Sequence, residues 1–111
     1  MILCRYGKNV QSAEAKDDVQ DAVESVMLDD LLAQADFITL HTALHDETRG
    51  MFGAAEFERT KPTAYIINTA RGGLVDEDAL CRALQAGSIA GAALDVFVEE
   101  PYRGPLAEFP N

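Results

Sequence analysis

Between Tyr65 and Gly73 the chain changes character abruptly. The apolar run Tyr65-Ile66-Ile67 gives way to Asn68-Thr69-Ala70, and one arginine, Arg71, stands just ahead of Gly72-Gly73. An unbroken β-branched and aromatic run bounded by turn formers reads as a buried strand of an α/β sheet. Ligands of open α/β sheets bind just past the carboxyl ends of such strands, so Arg71 is placed to meet one. Its planar guanidinium suits a carboxylate or phosphate through two parallel hydrogen bonds. A second strand-like run, Gly91-Ala92-Ala93-Leu94, leads into Asp95, and Glu100-Pro101 follows shortly after.

Elsewhere apolar runs alternate with helical patterns, which predicts an α/β fold with a parallel sheet and crossover helices. Met1 to Tyr6 reads as a strand closed by Gly7, followed by a polar helix near Ser12 to Val23. Leu28, Leu31 and Leu32 share one helical face ahead of a strand from Phe37 to His41. A short helix ends over Glu56 to Thr60, because Pro62 cannot continue it, and the strand Ala64 to Thr69 comes next. The clearest helix follows Arg71: Asp76 caps it, Glu77 and Asp78 suit its positive end, Leu80 and Leu84 share a face, and Gly87 stops it. A strand Gly91 to Val96 closes the pattern, and Pro101, Gly104, Pro105 and Pro110 favour an irregular loop beyond it.

A length of 111 residues at 48% hydrophobic content supports one small domain with a real core. The formal charge of −10 repels phosphate backbones and anionic lipid, so neither nucleic acid nor a membrane is expected as partner. Acids such as Glu14, Asp17, Asp18, Asp21 and Glu24 read as solvated helix faces, with salt adaptation of the source as the alternative. No apolar run approaches the roughly 18 residues of a membrane span, and Met1 to Arg5 lacks the layout of a signal peptide, so a cytoplasmic location is expected. Cys4 and Cys81 match no metal-ligand spacing and read as buried or free thiols; no metal is expected.

Three ordered blocks carry a resemblance to a known family. They are Ala35-Asp36-Phe37-Ile38-Thr39-Leu40-His41-Thr42, Asn68-Thr69-Ala70-Arg71-Gly72-Gly73-Leu74-Val75-Asp76, and Ala92-Ala93-Leu94-Asp95-Val96-Phe97 with Glu100-Pro101. With them the chain closely resembles the nucleotide-binding domain of D-isomer-specific 2-hydroxyacid dehydrogenases. The resemblance implies a partial, doubly wound Rossmann-type parallel sheet spanning residues 1–111. It also implies an NAD- or NADP-dependent oxidoreductase acting on small 2-oxo and 2-hydroxy acids, with a homodimer in the complete protein. No Gly-x-Gly-x-x-Gly is present, and the family's catalytic histidine would fall beyond Asn111. The chain is therefore expected to be a fragment truncated at both ends and inactive alone. Without the strand that precedes the glycine-rich turn, Met1–Tyr6 and Phe37–His41 are left with facing edges. They are expected to pair directly, to recruit another chain, or to leave a marginal fold.

The resemblance assigns roles residue by residue, each beside a plainer one. Arg71 would grip the substrate carboxylate near the reacting carbonyl; otherwise it caps a helix or pairs with a surface acid. Glu100 would orient the family's histidine so that it can protonate the forming alkoxide; otherwise it is a surface glutamate. Asp95 would accept a hydrogen bond from the nicotinamide carboxamide; otherwise it caps the following turn. Thr42, Thr69 and Ala70 correspond to positions touching cofactor, whereas His41 and His45 read as loop residues. Tyr6 stands where family members often carry an aspartate for the ribose hydroxyls, and with Arg5 and Lys8 nearby it suggests tolerance of a 2′-phosphate. Two other readings are a nucleotide-sensing, corepressor-like interaction module and a truncated gene product without independent function.

Overall fold

The computed structural model describes residues 2–6, 9–13 and 23–111, with side chains from Val26 onward. Among these residues six strands form one sheet in the order β3-β2-β1-β4-β5-β6, where β1 is Ile2–Tyr6, β2 Asn9–Ala13, β3 Val23–Ser25, β4 Phe37–Leu40, β5 Tyr65–Asn68 and β6 Gly91–Leu94. Among the described residues three α-helices accompany them: α1 Leu28–Gln34, α2 Ala54–Arg59 and α3 Glu77–Ala86.

The strands β4, β5 and β6 run parallel and in step, with Phe37 beside Tyr65 and Gly91 at one end and Leu40 beside Asn68 and Leu94 at the other. Side chains alternate across a strand, so Ile38, Leu40, Ile66 and Asn68 share one face of the sheet and are buried. That face receives Leu31 and Leu32 of α1, Phe57 of α2, and Leu80, Ala83 and Leu84 of α3 in a single core cluster. Phe52 closes it, meeting Phe57 edge-on with ring centroids 4.9 Å apart. The opposite face carries Phe37 and Tyr65, stacked at 5.7 Å and nearly half exposed. Among the described residues the helices thus cover one side of the sheet.

The helix after Arg71 forms for the local reasons legible in its sequence. Asp76 accepts a hydrogen bond from the Ala79 amide at 3.1 Å, and Gly87 adopts φ of 72°, a left-handed conformation that favours glycine. The amides of Gly87 and Ser88 then return to carbonyls of the last turn. On α2, Glu56 reaches back to the Gly53 amide, and helix formation stops before Pro62 as expected. The segment beyond Glu100 is irregular apart from a 3-10 turn at Pro105–Glu108.

The N-terminal third departs from the expected pattern. β1 pairs directly with β4, one of the outcomes anticipated for the two facing edges, but it does so antiparallel, with Ile2 beside Leu40 and Arg5 beside Phe37. The polar helix expected near Ser12 to Val23 is not what its ends form: Ser12 and Ala13 belong to β2, antiparallel to β1, and Val23 belongs to β3. Ladder hydrogen bonds along the free edge of β1 outweigh the weak helical preference of a polar stretch. Residues 14–22 lie outside the described residues, as do Met1 and Gly7.

Leu80 is fully buried, so Leu80→Ala should lower unfolding free energy by about 2–5 kcal/mol. Asp76→Ala, which removes only a cap, should cost about 1 kcal/mol. Urea denaturation of the two variants checks the ranking, and near-zero effects for both would contradict this packing.

Candidate functional site

Because β4, β5 and β6 end in register, the residues that follow them emerge along one rim. They are His41 and Thr42 after β4, Thr69 to Arg71 after β5, and Asp95 after β6. The Asp95 amide extends the ladder by donating to the Asn68 carbonyl at 3.0 Å, which fixes the height at which its carboxylate leaves the sheet. Between the first two loops lies an open cleft of about 450 Å³ lined by His41, Thr42, Ala43, Leu44, Ala70 and Arg71.

Main-chain pairing locks these loops together. The Gly50 amide donates to the Gly73 carbonyl, the Phe52 amide to Leu74, and the Asp76 amide to Phe52. The chain after Arg71 is thereby zipped onto the end of the loop that begins at His41. Arg71 precedes a 3-10 turn, Gly72–Leu74, and is itself extended. Its Nη1 donates to the carbonyl of Ala70 at 2.9 Å, and no acid among the described residues pairs with it. The plainer roles of helix cap and surface ion pair thus find no partner here. Asp95 likewise is exposed and caps nothing among the described residues.

Two residues that sequence reasoning did not single out build the arginine loop. Asn68 is 1% exposed, and its side chain donates to the Arg71 carbonyl at 2.9 Å while accepting from the Ala70 amide at 3.1 Å. A buried carboxamide left unpaired would cost about 1–3 kcal/mol, and both of its bonds go to the loop ahead. The signal was present as a polar residue ending an apolar strand just before a turn. Gly72 is the other: a Cβ built on it would collide with the Phe97 carbonyl, so only glycine lets the two loops touch there.

That contact matters because the touching segment leads to Glu100. The Val98 amide donates to Glu77 Oε2 at 2.9 Å and the Phe97 amide to Glu100 Oε1 at 3.2 Å, while the Phe97 ring stacks on Tyr102 at 4.4 Å. Glu100 does not line the cleft beside Arg71; its carboxylate is engaged by its own loop. The peptide between Glu100 and Pro101 is cis. The structure therefore brings Thr42, Ala70 and Arg71 round one cleft, sets Thr69 and Asp95 along the same rim, and holds Glu100 on the adjoining loop.

Tyr6 is not brought to this rim. In the antiparallel β1, the residue after Arg5 lies past Phe37, at the end of the sheet remote from Leu40 and the cleft. The direction of β1 is thus what parts Tyr6 from the other candidates. His41 is exposed and shares a 3.0 Å hydrogen bond with Thr39 Oγ1, while the carbonyl of His45 starts a turn closed by Thr48 and Arg49. Both are loop residues. Burial pushes the Cys81 thiol up, helped by Asp78 and Glu77 and opposed by Arg82, which disfavours a reactive thiolate. The side chain of Cys4 lies outside the described residues.

The cleft offers the Thr42 hydroxyl and the Arg71 guanidinium, and the Asp95 carboxylate stands along the same rim outside its lining. It does not extend to a pyrophosphate cradle among the described residues, since α3 begins at Asp76, Glu77 and Asp78 and would repel an anion. No group of three or more potential metal ligands occurs among the described residues, and no helix there is long and apolar enough to cross a membrane.

Gly72→Ala is expected to cost about 1–3 kcal/mol by overpacking and to free the segment it touches. Hydrogen exchange at the Val98 amide should accelerate by more than that at Ile66. Equal protection of Val98 in the two proteins would show that the loops are not tied together at this glycine.

The family model for the NAD binding domain of D-isomer specific 2-hydroxyacid dehydrogenases matches residues 3–111. A glyoxylate reductase of Thermococcus litoralis is 46% identical over 97 residues, covering 87% of this chain and 29% of that protein. The crystal structure of a glyoxylate reductase from Paecilomyes thermophila superposes with a TM-score of 0.79 at 41% identity, covering 85% of this chain and 29% of that one. A D-isomer specific 2-hydroxyacid dehydrogenase from Xanthobacter autotrophicus Py2, in complex with NADPH and MES, gives a TM-score of 0.79 at 36% identity over 87% of this chain and 42% of that one. The chain thus spans less than half the length of each of these relatives.

Proposed function

Since the chain belongs to the D-isomer specific 2-hydroxyacid dehydrogenase family and matches its NAD binding domain, we propose that it forms the nicotinamide and carboxylate side of an NAD(P)-dependent oxidoreductase site. The reaction is the reversible interconversion of a small 2-oxo acid and its D-2-hydroxy acid. The observation that carries this reading is the shared rim of β4, β5 and β6, where Arg71 stands beside Thr42 and Ala70 without an acidic partner among the described residues.

In this reading Arg71 binds the substrate carboxylate and polarises the neighbouring carbonyl, because a planar fork with several N–H groups matches a carboxylate better than an ammonium does. Charge developing on the carbonyl oxygen is stabilised by the same guanidinium, the largest electrostatic task at such a centre. Asp95 accepts from a carboxamide at the end of β6, and Thr42, Thr69 and Ala70 form the wall and floor against the ring. Glu100, held on the loop that rests on Gly72, supports an imidazole that would exchange the proton. His41 does not take that part, being paired with Thr39. A bound NAD or NADP would supply or accept the hydride at C4 of its nicotinamide. We propose that the protein acts in the cytoplasm as a homodimer with a small-molecule substrate and neither nucleic acid nor membrane as partner.

Titration of the 111-residue chain with oxalate, a planar dicarboxylate, tests the anchor. Amide and guanidinium NMR signals of Thr42, Ala70 and Arg71 are expected to shift together. Arg71→Gln should weaken binding about 10- to 100-fold, the equivalent of about 1.5–3 kcal/mol for a hydrogen bond to a charged group. Shifts confined to other surfaces, or equal binding by Arg71→Gln, would overturn the assignment.

A further inference from the structure

We propose that Asn68 is the positioning residue of this site, holding the Ala70–Arg71 segment so that the guanidinium is preset for an anion. The inference rests on the reading of Arg71 as the carboxylate anchor. Among the described residues only Thr60 and Asn68 are buried polar side chains, and they spend their hydrogen bonds differently. The Thr60 hydroxyl donates to Glu56 in its own helix, whereas Asn68 spends its donor and its acceptor on the loop that carries Arg71.

Asn68 shares its sheet face with Leu40 and Leu94, directly beside it in the neighbouring strands, so an apolar side chain would suit the core at that position. A carboxamide there offers something leucine cannot. It pins the amide of Ala70 and the carbonyl of Arg71, and the Ala70 carbonyl that receives Arg71 Nη1 lies between those two anchor points. A guanidinium resting on a fixed carbonyl has lost part of its rotamer freedom before any ligand arrives, so less is lost on binding. Asparagine is required in preference to aspartate because one anchor needs an acceptor and the other a donor; a carboxylate would turn lone pairs towards the Arg71 carbonyl.

The test compares the wild-type chain with Asn68→Leu and Asn68→Asp, using oxalate as probe and amide hydrogen exchange as a second readout. Asn68→Leu is expected to accelerate exchange of the Ala70 amide about tenfold and to weaken oxalate binding about tenfold, with Ile66 protection unchanged. Asn68→Asp is expected to retain Ala70 protection and still lose affinity, because it keeps the acceptor alone. Faster Ala70 exchange with unaltered oxalate affinity would overturn the positioning role and leave Arg71 as the anchor. A wild-type chain that ignores oxalate would overturn both. If the variants do not fold, the wild-type chain decides: its Asn68 carboxamide protons should shift on oxalate addition with the same half-saturation as the Arg71 guanidinium, and no response overturns the proposal.

Discussion

In-register parallel pairing of β4, β5 and β6 is the constraint from which the site follows. Leu40, Asn68 and Leu94 stand side by side, so the next residues of three separate segments must leave the sheet at one height. Had β5 slipped by one residue, Asn68 and Ile66 would face away from the helices and Ile67 would enter the core, an exchange of buried for exposed apolar surface that packing forbids. The register is thus enforced by Ile38, Leu40 and Ile66 against Leu31, Phe57 and Leu80, and the chemistry at the rim inherits its geometry from that apolar face. Each ladder hydrogen bond contributes only about 0.5–1.5 kcal/mol net; it is their agreement with the burial pattern that makes the arrangement unique.

The loops are organised by a second device, close main-chain approach. Gly50 to Phe52 zip onto Gly73 to Asp76, and Gly72 lies against the peptide that follows Phe97. Glu77, which on sequence grounds merely suits a helix N-terminus, also takes the Val98 amide and so connects the start of α3 to the loop bearing Glu100. One stretch from Asn68 to Glu77 therefore touches all three rim segments. A site of this kind needs little side-chain bulk, because its shape is set by backbone.

Much of this was legible in the residues. The strand expected over Ala64 to Thr69 and formed by Tyr65–Asn68, the arginine after it, the cap at Asp76 and the glycine stop at Gly87 all follow from local rules of burial, capping and left-handed turns, which act within a few residues. What escaped depends either on a partner distant in sequence, as at Gly72, or on which of several nearby groups a side chain bonds, as at Asn68. Nothing local to Gly72 announces that Phe97 will pass against it, and Asn68 looks like any polar residue closing a strand until its two bonds are seen. The first strand shows the same limit of local rules. Its β character was clear from Ile2 and Leu3, but strand direction is a property of the pair, and antiparallel pairing with β4 carries Tyr6 away from the rim that a parallel strand would have shared. Asn9 to Ala13 carries no strand expectation, its last two residues falling in the expected helix, and pairing with the free edge of β1 makes the segment a strand.

The proposed function requires that the open cleft between the β4 and β5 loops receive a nicotinamide ring. Transferred nuclear Overhauser measurements with reduced nicotinamide mononucleotide, which lacks the adenylate half, address it directly on the 111-residue chain. Ring protons should show contacts to the methyl groups of Thr42 and Ala70. Contacts instead to Leu80, Leu84 and Leu106, which line a separate apolar cavity beneath the C-terminal segment, would place the ring elsewhere and overturn the proposed site.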